Sequence, residues 1–302
     1  MVIKKGLQAN KKNDKKVIKK LLKTKIEWPY IAGWIDGDGC ISTYKDRNGY
    51  NSDAISLKLK DPEPIYYLAD LFKTSITTHL EKSKKGVITK MYVAKIMGTR
   101  GLFLVSQITP YLMEKTNQAT KFLKKKKVDE TFSYLNHTPH EFISYFTGFF
   151  EAEGHVSYHL TKRKKRKIRR ETSIEVVNTN KALMYHLQKK LIQYGVRGAH
   201  LYIHQSSLRS KDGCKRKPIY KIWISGWNAI LLLEQMLPYM KIKRKWDAAV
   251  KIIAHLFNNR TTQGYKRWRR IEDWKVSETF KNDAVWKNYN PKEYWRKHAR
   301  SA

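Results

Sequence analysis

Residues 31–39 read Ile-Ala-Gly-Trp-Ile-Asp-Gly-Asp-Gly, and residues 146–154 read Phe-Thr-Gly-Phe-Phe-Glu-Ala-Glu-Gly. The two runs agree in type. Gly33 matches Gly148, Trp34-Ile35 match Phe149-Phe150, Asp36 matches Glu151, Asp38 matches Glu153 and Gly39 matches Gly154. Their separation is constant at 115 residues (153 − 38 and 148 − 33). Each reads as a short apolar helix halted by a glycine. Ala32, Gly33 and Gly37 in the first run, and Thr147, Gly148 and Ala152 in the second, are small enough for another backbone to come close. The acids are out of place by local rules. A helix C-terminus carries negative partial charge and free carbonyls, so a carboxylate at Asp38 or Glu153 is disfavoured there. A divalent cation reverses that penalty, and Mg²⁺ accepts one or two carboxylates together with carbonyls, waters and phosphate oxygens. A single Asp-Gly is ordinary turn chemistry; the matched second copy gives the acids weight.

The repeat extends outward from these runs. After the first, Cys40–Tyr44 reads as a strand and Asn48-Gly49 as a turn. Ile55, Leu57 and Leu59 then alternate with Ser56, Lys58 and Lys60, a strand with one apolar and one basic face. A helix opens at Pro62-Glu63, strands follow near 75–81 and 87–96, and helices are expected over 99–109 and 115–127 on either side of Pro110. The second half repeats the order. A helix over 140–153 precedes strands near 155–160 and 172–178, a helix over 180–194, strands near 199–206 and 218–224, and helices over 227–237 and 243–257. Pro110-Tyr111 matches Pro238-Tyr239 at an offset of 128 (238 − 110), so 13 residues have been gained since the acidic run (128 − 115). The extra length falls at Thr161–Arg170, nearly all Lys and Arg. The expected fold is α+β, two tandem αββαββα repeats about a pseudo-twofold axis. The expected divisions are a basic arm at 1–27, halves at 28–127 and 140–257, a linker at 128–139 and a basic extension at 258–302. Val17-Ile18 and Leu21-Leu22 sit about one helical turn apart, so part of the arm reads as helical; the arm reads equally as a solvated tail or a polyanion contact. Trp268, Trp274, Trp286 and Trp295 in the extension read as pinning short helices rather than stacking on bases.

The 302 residues carry 62 Lys and Arg against 26 Asp and Glu, a formal charge of +36 that points to a polyanionic partner. Hydrophobic residues make up 41%, enough for a core. Cys40 and Cys214 stand apart with no spaced partner, which argues against a zinc site or a disulfide framework. Histidines form no cluster with metal-ligand spacing. No apolar run approaches the roughly 20 residues that span a bilayer, so no membrane partner is expected. The Lys-rich N-terminus has no apolar signal core.

The paired runs resemble the motifs of the LAGLIDADG homing endonucleases in their single-chain, two-motif form, over roughly residues 28–257. The resemblance implies that the two helices pack together as a central interface, with curved antiparallel sheets forming a DNA-binding saddle. It implies that Asp38 and Glu153 bind metal at the cleavage site, with the carbonyls of Gly37 and Ala152 as secondary ligands. Asp36 and Glu151 match positions that are structural in the family. Lys115 and Lys243, each five residues after its proline, match the basic residue beside the family's active site. The polar water-positioning residue has Lys60 as nearest counterpart in half one, and Asn178 or Asn180 in half two. His155 reads as an ordinary strand residue on the groove face.

The implied reaction is Mg²⁺-dependent hydrolysis of both strands of a long, non-palindromic DNA duplex across the minor groove, leaving short 3′ overhangs. Ca²⁺ is expected to support binding without efficient cleavage. DNA contacts are expected from Lys45, Arg47, Lys58, Lys60, Lys90 and Lys95 in half one. Arg163, Arg166, Arg169, Arg209, Lys217 and Lys221 are expected to serve in half two. The chain is expected to act as an intracellular monomer, encoded in an intron since it lacks terminal splicing residues. Its wealth of Lys, Asn, Ile and Tyr suggests an AT-rich organelle genome. Two alternatives remain: an RNA maturase on the same fold, binding its intron RNA, and a DNA-binding protein that does not cut.

Overall fold

The computed structural model describes residues 12–45, 51–83, 86–125, 137–161, 169–204 and 217–258. The elements run α1 (Lys12–Leu21), α2 (Trp28–Asp38), β1 (Gly39–Lys45), β2 (Asn51–Leu59), α3 (Glu63–Phe72), β3 (Ile76–Lys82), β4 (Ile88–Met97), α4 (Gly98–Ile108) and α5 (Thr116–Lys125). They continue with α6 (Pro139–Glu153), β5 (Gly154–Thr161), β6 (Arg169–Asn178), α7 (Lys181–Gln193), β7 (His200–His204), β8 (Ile219–Ser225), α8 (Trp227–Met236) and α9 (Lys243–Asn258). The order expected from the sequence is the order found, with α1 added ahead of it. Arg163, Arg166, Arg209 and Arg47, most of Thr161–Arg170, and the four tryptophans after residue 258 lie outside the described residues.

The chain forms two compact units. Among the described residues, one holds those up to His137 together with Ser144–Glu153 and Lys241–Lys243; the other holds Thr138–Ile143, those between Gly154 and Met240, and those from Arg244 to Asn258. In the first unit a four-stranded antiparallel sheet has the order β1-β2-β4-β3. Ile55, Leu57, Ala94 and Ile96 on one face are buried, under α3 and α4. Ser56, Lys58 and Lys95 alternate with them on the open face. Helix α1 packs on α4; Leu21 is buried and Asp14 lies 3.2 Å from Arg100. That stretch of the expected arm is therefore docked structure: its apolar side is covered, while Lys15, Lys16, Lys19 and Lys20 are exposed.

The second unit repeats the sheet in the order β5-β6-β8-β7. Ile174, Val176, Ile222 and Ile224 are its fully buried face, with α7 and α8 packed against these strands. The backbone repeats as well. Gly98 and Gly226, 128 residues apart (226 − 98), both open their helices at φ +61°, a left-handed value that glycine adopts without a steric penalty. Helix α6 starts with a capping box: the Glu141 amide donates to Thr138 Oγ1 at 3.2 Å, and the Thr138 amide donates to Glu141 Oε2 at 2.9 Å. Pro139, the last residue of the expected linker, is the first residue of α6, where its missing N–H costs nothing.

Candidate active site

Both acidic runs meet within the first compact unit. A Cβ built on Gly33 would overlap the carbonyl oxygen of Tyr145 and lie 2.6 Å from the Phe149 amide. One built on Gly148 would overlap the Tyr30 carbonyl and lie 3.1 Å from the Trp34 amide. Helix α2 and the last ten residues of α6 thus touch backbone to backbone through the two matched glycines. Towards the helix ends, a Cβ on Gly37 would overlap Cβ of Ala152 and lie 3.3 Å from Cγ of Glu153. The small residues seen in the sequence are what lets the two acid-bearing termini converge.

Gly39 plays a part the sequence did not suggest. Its φ is −82° and its ψ 163°, ordinary extended backbone, so it is not a left-handed stop. A side chain there would strike Ile35, with Cα at 2.5 Å and the carbonyl oxygen at 2.8 Å. The chain passes from α2 straight into β1, and the glycine supplies space.

The inner acids are clasped. Asp36 is 1% exposed and accepts from the amides of Met113 (2.6 Å), Glu114 (3.1 Å) and Lys115 (2.8 Å) and from the Tyr145 hydroxyl (2.7 Å). Glu151 is 2% exposed and accepts from the amides of Lys241 (2.8 Å) and Ile242 (2.7 Å), the Trp34 indole (3.2 Å) and the Tyr30 hydroxyl. The arrangement is reciprocal. Tyr30 and Tyr145 are 115 residues apart (145 − 30), and each donates to the acid on the other's helix. Burial raises both carboxyls above the usual carboxylate range, and these hydrogen bonds pull them part of the way back. With its oxygens committed to loop amides and a tyrosine, each inner acid is a structural clasp.

The outer acids are placed differently. Asp38 is exposed and Glu153 partly exposed, one at the last position of each helix. Lys115 reaches the end of α2, its Nζ lying 2.7 Å from the carbonyl of Ile35, 2.5 Å from that of Asp36 and 3.2 Å from that of Gly37. An ammonium on those carbonyls opposes the negative end of the helix that carries Asp38. Gly37 O, a candidate metal ligand, accepts from this lysine.

In half two, Lys243 is exposed at the first position of α9. A lysine that sequence reasoning passed over sits two residues on. Lys245 is 5% exposed, and its Nζ donates at 2.7 Å to the carbonyl of Gly154, the residue after Glu153. Among so many lysines nothing local marked it out; the contact spans 91 residues.

Asp38 and Glu153 carboxylates with backbone carbonyls form an all-oxygen donor set, which suits a hard cation that keeps several waters or phosphate oxygens. Among the described residues no group of three or more His, Cys, Asp or Glu is arranged to enclose a metal.

The expected DNA-contact residues do not share one face. Lys58, beside Glu81 in an ion pair, and Lys95 lie on the open face of the first sheet. Lys90 is five residues from Lys95, so alternation turns it to the opposite face, where its Nζ lies 5.2 Å from the centre of the Tyr92 ring. The expectation of one basic face that includes Lys90 is corrected on that ground. Lys60 is exposed just beyond β2, and Lys45 ends β1 opposite Asn51. In the second sheet Lys221 is on the open face, 3.2 Å from Glu175; Arg169 opens β6 opposite Thr161, and Lys217 is exposed ahead of β8. Asn178 and Asn180 are used locally: Asn178 Oδ1 accepts from the Asn180 amide at 2.7 Å, and Asn180 Oδ1 caps α7 through the Leu183 amide at 3.1 Å. His155 is exposed on the open face, opposite Glu175.

No protein-family model and no curated protein matches the sequence. Solved structures do match the fold. The LAGLIDADG meganuclease I-AabMI bound to uncleaved DNA is 16% identical, with a TM-score of 0.51 over 82% of this chain and 98% of that one. The LAGLIDADG homing endonuclease I-GzeII in complex with DNA target is 15% identical, with a TM-score of 0.49 over 87% and 99%.

Proposed function

From the LAGLIDADG homing-endonuclease fold of this chain, we propose that it is a metal-dependent DNA endonuclease. In this reading it hydrolyses both strands of a long, non-palindromic duplex and leaves short 3′ overhangs. The observation that carries the proposal is the convergence of two acid-bearing helix ends at Gly37 and Ala152, with the acids one residue inward withdrawn into a buried clasp. Asp38 and Glu153 would hold Mg²⁺, which when bound polarises a phosphodiester and supplies an activated water. Lys115, already at the α2 terminus, brings a fixed positive charge to one cleavage position, where charge develops on the phosphate. Lys243 is the matching candidate for the other. Lys245 holds the carbonyl of Gly154, next to Glu153, and acts as a positioning residue. The open sheet faces would bind the duplex. The chain would work as a monomer encoded in an intron, inside the cell and in an organelle with an AT-rich genome.

The test is selection and cleavage of a randomised duplex pool with Mg²⁺, followed by sequencing of the ends. The Asp38→Asn/Glu153→Gln variant should lose cleavage and retain affinity within about threefold, since the phosphate and base contacts lie elsewhere. Replacing Mg²⁺ by Ca²⁺ should likewise preserve binding and stop or greatly slow cutting. Full cleavage by the double variant, or rapid cleavage in strong chelator, overturns the assignment. Binding of a structured RNA with no cleavage of any duplex points instead to the maturase.

A further inference from the structure

The open faces of the two sheets can be compared row by row, because their registers are equivalent. Beside the first acidic run, Cys40 pairs with Ser56 and Ser56 with Lys95. Beside the second, His155 pairs with Glu175, Glu175 with Trp223 and Trp223 with His200. In the next row, Lys58 pairs with Val93 and Val93 with Thr77, whereas Val177 pairs with Lys221 and Lys221 with Tyr202. Trp223 therefore occupies the register position of Lys95, and Tyr202 that of Thr77.

In the second sheet three rings gather at these positions. The Tyr202 and Trp223 centroids are 6.2 Å apart and nearly perpendicular, His200 is 6.4 Å from Trp223, and His200 is 6.2 Å from Tyr202. They are not core. Ile222 and Ile224, which alternate with Trp223, are fully buried, whereas Tyr202 is 47% exposed. The neighbouring charges, Lys221 and Glu175, are paired with each other at 3.2 Å. The row that offers a lysine in half one offers ring surface in half two.

A lysine reads guanine or neutralises a phosphate; the apolar group that a major groove presents is the C5-methyl of thymine. We infer that Trp223 and Tyr202 form an apolar thymine-methyl reader in the second sheet, so that half two selects thymine where half one uses Lys95. The inference rests on the proposed binding of duplex DNA to the open sheet faces, and it supplies a physical reason for an asymmetric target.

The test uses the duplex selected from the randomised pool, remade with deoxyuridine in place of thymidine one half-site at a time. Uracil keeps every hydrogen-bonding group and loses only the methyl. Affinity should fall about fourfold per contacted methyl, the transfer free energy of one such group, in one half-site and not at the matching position of the other. Tyr202→Ser, a change at an exposed edge-strand position, should reduce that sensitivity, and Trp223→Ala should remove it. Trp223→Lys, which installs the residue of half one, should replace the thymine preference with guanine in a repeated selection. A selected duplex indifferent to uracil, or a uracil effect unchanged in Tyr202→Ser and Trp223→Ala, overturns this inference and leaves the nuclease reading intact. Failure to select any duplex overturns both.

Discussion

At Gly33 and Gly148 an added side chain would run into the backbone of the other helix. Alanine is the better helix former by about 1 kcal/mol, so an open site would gain from the change. Here the added methyl meets another helix's backbone on two sides, and backbone cannot rotate away. Gly33→Ala should lose about 3 kcal/mol of stability, measured by denaturant unfolding; a stabilised variant would disprove the close approach. The tyrosines make a subtler prediction. Burial raises the Asp36 carboxyl, so ionising it costs the folded state free energy as pH climbs through that raised value. The Tyr145 hydroxyl offsets part of the cost. Tyr145→Phe should match wild type closely in acid, where the carboxyl is protonated, and fall about 2 kcal/mol short once it is ionised. A gap that does not widen as the pH rises from acid to neutrality would exclude the coupling. Sequence exposed the four acids and the small residues around them because these recur at a fixed offset. The tyrosine partners, Tyr30 and Tyr145, recur at the same 115-residue offset (145 − 30) and were open to the same comparison. The main-chain partners of Asp36 and Glu151 are amides 77 to 91 residues away, which carry no side-chain signature. Lys245 stayed hidden for the same reason.

At the level of elements, a helix end is set by its neighbour as much as by its own residues. Gly37→Ala should destabilise, because its methyl would overlap that of Ala152. Adding Ala152→Gly should restore most of the loss, since the pair then holds one methyl as before. Failure of this rescue in thermal melts would mean that the α2 and α6 ends do not pack as described. Thr138→Ala should cost about 1 kcal/mol by removing the cap of α6. That Thr-Pro-His-Glu signal was available in the sequence, yet the turn character of Pro139 drew the boundary one residue late. Strand alternation was legible in β2, where apolar and basic residues take turns, and misled in β4. There Lys90 and Lys95 were grouped by charge although five residues separate them, and an odd spacing cannot keep two side chains on one face of a strand.

Across the whole molecule the surplus of positive charge sets the terms of association. The basic stretch 162–170, whose residues up to 168 are outside those described, was expected to hold the length that half two has gained, but the registers correct this. The offset is 119 at Ser56 and Glu175 (175 − 56) and 128 at Lys95 and Trp223 (223 − 95), so 4 of the 13 residues enter before β6 (119 − 115) and 9 between β6 and β8 (128 − 119). Changing four Lys and Arg residues of the basic stretch to Ala should flatten the plot of log affinity against log salt by about 0.9 for each phosphate no longer neutralised. Single-turnover cleavage at saturating DNA should hardly change. An unchanged slope would mean that the stretch points to solvent, and a collapsed rate at normal affinity would move it into the active site. The architecture as a whole was legible because it is written twice. Two copies of an order, with glycines, prolines and acids at fixed offsets, outweigh the ambiguity of any one segment.

The crossed tyrosine bonds carry a consequence for how the chain can be cut and exchanged. A polypeptide severed in the linker gives two fragments, each holding a buried carboxylate whose tyrosine donor resides on the other fragment. Neither should be soluble alone, while co-expression should recover activity. By the same logic, a chimera that borrows one half from another such protein inherits one member of each bond. Recombination between relatives should therefore succeed only when Tyr30 with Glu151, and Tyr145 with Asp36, travel as matched sets.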